Sequence, residues 1–188
     1  MEEEQILKQL SGLTIEQRVD ALKFCAIKGN EIADSFNTIG INIKKLTPQE
    51  LQMIDKFPLD FQLFVKEVGL IYVGTNDYAA LAVIFPDASL ESFDFSDEDL
   101  PFYDYSYGFW GFDKNFYTTH LPVVTWPCSY HSAGYDLSKT PHEFVVFSDS
   151  DFSDLNIRSF LEFVEHEFVY NPNLFALFKE AHSKNFST

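Results

Sequence analysis

LTPQELQMIDKFPLDFQLFVKEVG, residues 46–69, carries the densest local instructions in the 188-residue chain. Thr47 followed by Glu50 reads as a capping box, in which the hydroxyl accepts from the N3 amide and the carboxylate reaches back to the cap amide. Pro48 falls at the first helical position, where a missing N–H costs nothing and a fixed φ helps. Leu46 and Leu51 flank the cap at the spacing of a hydrophobic staple. These signals predict a short helix from about Pro48 to Lys56. Phe57-Pro58 ends it, because the residue before a proline is pushed out of the α region. A second helix restarts at Leu59 with Phe61, Phe64, Val65 and Val68 on one face. Gly69 supplies a left-handed stop.

Toward the N-terminus, Thr14 and Gln17 form a second capping box. It opens a helix through Val19, Leu22, Phe24 and Ala26 to a stop at Gly29. Asn30 is positioned to cap another short helix carrying Ile32 and Phe36, after which Gly40 and Ile41–Ile43 lead into Leu46. Residues 1–45 therefore read as an N-terminal helical extension, and residues 46–188 as one domain with C-terminal helices.

After Gly69 the pattern turns strand-like. Leu70–Val73 and Ala79–Phe85, separated by Gly74-Thr-Asn-Asp77, read as a β-hairpin. Leu121–Trp126 and Glu143–Phe147 are further strands, and His131–Ser138 is either an edge strand or a loop. Asp149–Asp154 offers caps to a helix over about Leu155–Val169. Asn171-Pro172 then opens a last amphipathic helix. Helices, then strands, then helices indicate an α+β class with a mainly antiparallel sheet.

Charge is the most informative bulk property. The chain holds 13 Lys/Arg against 29 Asp/Glu, a formal net of −16. Residues 1–66 are nearly balanced, with 8 cations and 10 acids. Residues 67–170 hold only Lys114, Lys139 and Arg158 against 18 acids, a net of −15. Such a field repels nucleic acid and anionic membrane and steers in cationic partners. Acidity also serves solubility, but an even distribution would serve that equally well. The longest apolar runs fall far short of the roughly 20 residues that span a bilayer. MEEEQ is acidic where a signal peptide would be basic. Cys25 and Cys128 make no disulfide framework. A reducing, cytoplasmic setting is the expectation.

The acidic block contains ESFDFSDEDLPFYDYSYGFWGFDKNFY, residues 91–117, in which aromatic and acidic side chains interleave around the single cation Lys114. Aromatic residues are favoured anchors at interface centres, and carboxylates around them select a basic partner. Tyr103, Tyr105, Tyr107 and Trp110 are the candidate anchors. Asp94, Asp97, Glu98, Asp99 and Asp104 are the candidate steering charges. Packing of the phenylalanines into the core is the competing reading of the same pattern. A single-stranded nucleic-acid platform also uses aromatics but needs a basic groove, so the sign here is wrong for one.

The sequence contains no phosphate-loop, dinucleotide-binding or nucleophile-elbow pattern. Cys128 and His131 have ligand-like spacing, but no second pair completes a zinc set. Asp149, Asp151 and Asp154 lack the glycine and the terminal glutamate of a calcium loop. Glu162 and His166 lie at i, i+4 on a predicted helix, a spacing that suits a surface pair. The expectation is a protein with no catalytic residues, no metal and no cofactor.

The Thr47-capped helix, the corner Phe57-Pro58-x-Asp60-Phe61, the helix carrying Phe64 and Val65, Gly69 and the hairpin after it resemble the SUKH superfamily. Phe144–Phe147 and the Ser159-Phe160-x-Glu162-Phe163 helix resemble that family's closing strand and helix, so the likeness spans about residues 46–168. Residues 1–45 and the acidic aromatic stretch have no counterpart in it. The resemblance implies a non-catalytic α+β domain. Bacterial members look to be immunity proteins that neutralise a toxin, often a nuclease; fungal relatives are cell-wall regulators and interaction domains. The leading expectation is therefore an immunity protein that masks a cognate basic toxin. An intracellular scaffold or regulatory domain is the alternative, and a hydrolase using acidic-block carboxylates comes third.

Overall fold

The computed structural model describes residues 2–31, 40–75, 78–83, 119–126, 131–147 and 157–185. In chain order these form α1 (Glu2–Leu10), α2 (Ile15–Glu31), β1 (Gly40–Lys44), α3 (Pro48–Met53), a 3₁₀ turn (Ile54–Lys56) and α4 (Leu59–Glu67). There follow β2 (Leu70–Thr75), β3 (Tyr78–Val83), β4 (His120–Trp126), β5 (His131–Asp136), β6 (Glu143–Phe147), α5 (Phe160–Tyr170) and α6 (Pro172–Asn185). The fold is α+β.

The capping box at Thr47 forms in full. Thr47 N donates to Glu50 Oε2 at 2.6 Å, and Glu50 N donates to Thr47 Oγ1 at 3.3 Å. The box at Thr14 forms as well, with Thr14 N donating to Gln17 Oε1 at 3.0 Å and Gln17 N to Thr14 Oγ1 at 3.3 Å. Leu46 and Leu51 both pack against the core. Gly69 adopts φ 109°, which turns the chain straight from α4 into β2.

The six strands lie in the order β1-β2-β3-β4-β5-β6, every pair antiparallel. Directly opposed residues share a face, so the register defines one continuous apolar surface. Ile41 faces Val73, which faces Leu81; Val83 faces Val124, which faces Ala133 and then Val146. Leu121, Tyr135 and Phe144 form the row nearest the β5–β6 turn. The helices pack on this surface. The Phe61 ring stands 5.8 Å from Tyr135 and 5.0 Å from Phe160, and Phe163 stands 6.1 Å from Phe144. Phe61, Phe64, Phe160 and Phe163 are wholly buried, each stabilising the fold by about 1.5–3 kcal/mol through removal from water.

Several elements differ from expectation, each for a physical reason. Helix α2 runs through Gly29 rather than stopping there, since a Cβ at that position would overlap the Ile41 side chain. The glycine therefore permits close approach of α2 to β1. Asn30 lies inside α2, and its side-chain amide donates to the Ile41 carbonyl at 2.8 Å. Gly40–Lys44, expected as the end of a helical extension, is a strand of the sheet paired along β2. Val19, Leu22, Cys25 and Ala26 of α2 belong to the same core cluster as the strands. His131–Asp136 is an interior strand with β4 on one side and β6 on the other. Helix α5 starts at Phe160 with Ser159 as its N-cap, later than the predicted Leu155; Asp149–Asp154, the expected caps, lie outside the described residues. Pro122 falls inside β4 beside a register shift, where a missing N–H is tolerated.

Helix α6 closes the core through Leu174, Phe178 and Ala181. His182, 3% exposed, packs its ring 4.4 Å from Phe178. Burial lowers its pKa to about 4, and the charge of Arg18 acts in the same direction. The folded value thus lies below the ordinary 6.5, so the histidine's contribution to stability is present above pH 6.5 and lost as pH falls toward 4. The shift amounts to about 3 kcal/mol at full protonation. Denaturant titrations from pH 7 to 4.5 should show His182→Leu losing less stability than the unaltered chain. Parallel pH profiles would refute the assignment.

A second prediction concerns the stop after α4. A Cβ at Gly69 would sit 2.7 Å from the Lys44 carbonyl oxygen in a backbone conformation disfavoured for L side chains. Gly69→Ala should cost about 2 kcal/mol. At Gly12 the nearest atom to such a Cβ is 3.4 Å away, so Gly12→Ala should leave the urea midpoint nearly unchanged.

Candidate functional site

The nine residues that the sequence singles out for partner binding, from Asp94 to Trp110, lie outside the described residues. The fold does fix where their segment is anchored. Residues 84–119 connect β3 to β4, two hydrogen-bonded neighbours. Both junctions lie at the sheet end where β5 closes into β6, and Leu137 N donates to the Thr119 carbonyl there at 2.7 Å.

At that same end, the N-termini of α4 and α5 meet over a cleft of about 480 Å³. Pro58 is the N-cap of α4 and Asp60 lies in its first turn, while Arg158, Ser159 and Phe160 come from the start of α5. Tyr135, Glu143 and Phe144 come from the sheet, and residues 139–142 from the β5–β6 turn.

Asp60 organises the helix side of the cleft. Its Oδ1 accepts from Phe61 N at 2.9 Å, and its Oδ2 accepts from Leu161 N at 3.3 Å. One buried carboxylate thus satisfies amides in the first turns of two helices, whose dipoles both favour a negative charge there. Pro58 supplies no side-chain cap to α4, which leaves that work to Asp60. Burial raises the Asp60 pKa; the Leu161 and Phe61 amides and the Arg18 charge pull it back. The rest of the α5 terminus is self-contained. Ser159 Oγ accepts from Glu162 N at 3.2 Å, and Glu162 Oε2 accepts from Arg158 N at 2.7 Å. The Glu162 carboxylate, expected to meet His166, is engaged in this cap.

Behind Asp60, Arg18 of α2 makes a bidentate pair with Glu165 of α5. Its Nε donates to Oε1 at 2.9 Å and its Nη2 to Oε2 at 2.6 Å. The side chains are 13% and 2% exposed. Burial pushes the Glu165 carboxyl above its usual range, and the Arg18 hydrogen bonds oppose that rise.

The Tyr135 hydroxyl is fully buried and has no hydrogen-bond partner. Burial first, and the nearby Asp60 charge second, raise its pKa. Buried polar atoms are nearly always paired, so this hydroxyl is the least satisfied feature of the cleft. His142 Nδ1 lies 3.1 Å from the Lys139 carbonyl, and its ring lies 5.9 Å from Phe57.

Among the described residues no group of three or more His, Cys, Asp or Glu side chains is placed to hold a metal ion. No helix among them is long and apolar enough to cross a membrane. No protein-family model matches the chain, and no curated protein or solved structure matches it significantly.

The sequence presents Asp60 and Ser159 only as parts of a motif, and Glu162 as part of that motif and as a partner for His166; none of these points to the cleft. The S-x-x-E spacing at Ser159 was a readable cap signal. The Asp60–Leu161 bond joins residues 101 positions apart and leaves no local trace.

The Arg18–Glu165 pair yields a prediction. Arg18→Met alone strands a buried carboxylate and should cost about 3–5 kcal/mol. Combining it with Glu165→Leu should restore most of that loss, because two apolar side chains replace two desolvated charges. Urea midpoints of the singles and the double measure the coupling. Strictly additive losses would show that the two side chains act independently.

Proposed function

We propose that this chain is a non-catalytic binding protein that recognises a basic protein partner, in the manner of an immunity protein masking the active face of a cognate toxin such as a nuclease. The observation that carries this reading is the net of −15 across residues 67–170. Pairing within the fold offsets only a small part of that excess. Arg18 and Lys23 pair with Glu165 and Glu67 of the acidic block, whereas Lys28 meets Glu31 at 2.8 Å and Lys66 meets Asp55 at 3.6 Å within residues 1–66. Lys45 Nζ donates to the carbonyls of Glu67 and Val68 at 2.6 and 2.7 Å.

The resemblance of residues 46–168 to SUKH domains supports the same class. So does the interleaving of Tyr103, Tyr105, Tyr107 and Trp110 with Asp94, Asp97, Glu98, Asp99 and Asp104, which supplies anchors and steering charge in one segment. That segment is carried between adjacent strands, on a scaffold closed by helices from both ends of the chain. Opposite charge accelerates encounter and rejects acidic competitors, and the aromatic anchors hold the complex once it forms.

Exposed charges are screened over about 8 Å at physiological ionic strength. Affinity capture of the partner, followed by stopped-flow association at 20–500 mM salt, should show the on-rate falling at least tenfold. Trp110→Ala and Tyr105→Ala should raise the off-rate with little change in the on-rate. A salt-indifferent on-rate, or unaltered affinity in both variants, would overturn the proposal.

A further inference from the structure

Among the described residues two strands of the sheet, β1 and β6, have a neighbouring strand on one side only. An open edge presents a row of backbone donors and acceptors, which proteins normally blunt with lysine, proline, a bulge or a covering element. β1 is blunted in this way. Helix α2 approaches it closely at Gly29, the Asn30 side-chain amide donates to the Ile41 carbonyl at 2.8 Å, and the strand ends in Lys44 followed by Lys45. β6, Glu143-Phe-Val-Val-Phe147, carries none of the sequence devices. It contains no proline or lysine, and its register with β5 runs unbroken from Ser132 opposite Phe147 to Asp136 opposite Glu143.

The side chains along this edge are incompletely covered. Opposite them in β5, Ala133 and Tyr135 are wholly buried, whereas Phe144, Val145, Val146 and Phe147 are each only half-buried. A run of aromatic and β-branched residues suits a strand with neighbours on both sides. Charge is unbalanced at the first position. Asp136 and Glu143 stand directly opposite one another, and like charges in a cross-strand pair are destabilising. Ser138 donates to Asp136 Oδ1 from its hydroxyl at 2.5 Å and from its backbone amide at 2.9 Å, which holds that carboxyl below its usual range. His120 lies across from Asp136 on β4, a strand removed from Glu143. The exposed Glu143 therefore has an anion on its inner side, and a cation on its outer side would complete the row.

We propose that the edge of β6 is where the basic partner docks, adding an extended segment of its own as a further strand, with apolar side chains beside Phe144–Phe147 and a lysine or arginine opposite Glu143. In strand addition the backbone hydrogen bonds supply affinity and the alternate side chains supply specificity. The inference rests on the basic-partner reading above and names the surface that partner uses and the backbone form it presents. A second copy of the chain is the poorer occupant. Antiparallel pairing of β6 with itself about Val145 sets Glu143 against Phe147 and brings together two chains of net −16, whose fields oppose association.

The probe is a short peptide of alternating valine and lysine, titrated into the full chain under amide-resolved NMR at constant ionic strength. Its controls are a valine–glutamate peptide and a valine–lysine peptide with prolines at its two central positions, which cannot pair on either side. The valine–lysine peptide should shift the amides of residues 143–147 and of their partners 132–136. It should bind at least tenfold more tightly than either control, because opposite charge across a strand pair attracts, like charge repels, and proline removes ladder donors. Glu143→Lys should weaken it about tenfold; the position is exposed, so this arm does not depend on a fragile variant.

Val145→Pro and Val146→Pro form the second arm. Successive residues direct their N–H groups to opposite sides of a strand, so one of the two keeps the ladder to β5 and loses a donor only at the open edge. The variant with the higher melting temperature identifies it. That variant should lose the peptide and weaken the affinity-captured partner at least tenfold, while the partner's on-rate still falls with salt. Unaltered partner affinity in that variant, with the salt dependence retained, would overturn the β6 inference and leave the basic-partner reading standing. A salt-indifferent on-rate in the unaltered chain would remove both. Shifts lying away from β5 and β6, equal binding of the valine–glutamate peptide, or a dimer of the peptide-free chain that the proline variant dissolves would each overturn the inference.

Discussion

The Asp60 carboxylate bonds to the first turns of both α4 and α5, and the packing of the helical layer depends on that junction. Immediately behind it, the Arg18–Glu165 pair fastens α2 to α5. Two neighbouring polar contacts thus bind segments from the beginning, middle and end of the chain. Burying charge is expensive, and an ion pair alone seldom compensates for it. Here several sources contribute at once: bidentate geometry at Arg18, two backbone amides at Asp60, and two converging helix dipoles. The aromatic contacts of Phe61 with Tyr135, and of Phe160 with Phe61 and Phe64, surround the junction. They exclude water and so strengthen the polar bonds they enclose.

The parts of this fold legible in the sequence are those written within a few residues. The Thr47 and Thr14 capping boxes, the Pro58 corner and the Gly69 stop are short-range stereochemistry, and each appears where its residues place it. The misread parts depend on neighbours distant in sequence. Gly29 has the appearance of a helix terminator, yet its role is to admit Ile41. The interior position of β5 depends on pairing with both β4 and β6, which Ser132, Ala133 and Gly134 do not announce by composition. Ser159 caps α5, and Glu162 and Asp60 both complete that terminus.

The candidate site divides in the same way. The acidic aromatic stretch is conspicuous as composition, so residues 91–117 drew the functional reading at once. The cleft had no such signature. Asp60, Tyr135, Lys139 and Arg158 come from two helix starts, a strand and a turn, and the packing of those helices on the sheet brings them to one cleft.

Topology places the cleft and both junctions of the acidic aromatic stretch at one end of the sheet. In an antiparallel meander the end of β3, the start of β4, the end of β5 and the start of β6 share one edge, as Leu137 bonding to Thr119 attests. Both junctions of the segment carrying the acidic aromatic residues lie at that end, which also holds the cleft. On the proposed reading, a basic partner drawn in by the long-range field would approach that end of the sheet. Screening makes the distant field weak and the close contacts strong as the surfaces meet. On the proposed reading the net of −15 across residues 67–170 would set how quickly a basic partner arrives, whereas the close contacts made on arrival would set which partner stays. A uniformly acidic surface would attract any polycation equally, so discrimination among polycations has to come from those close contacts rather than from the field.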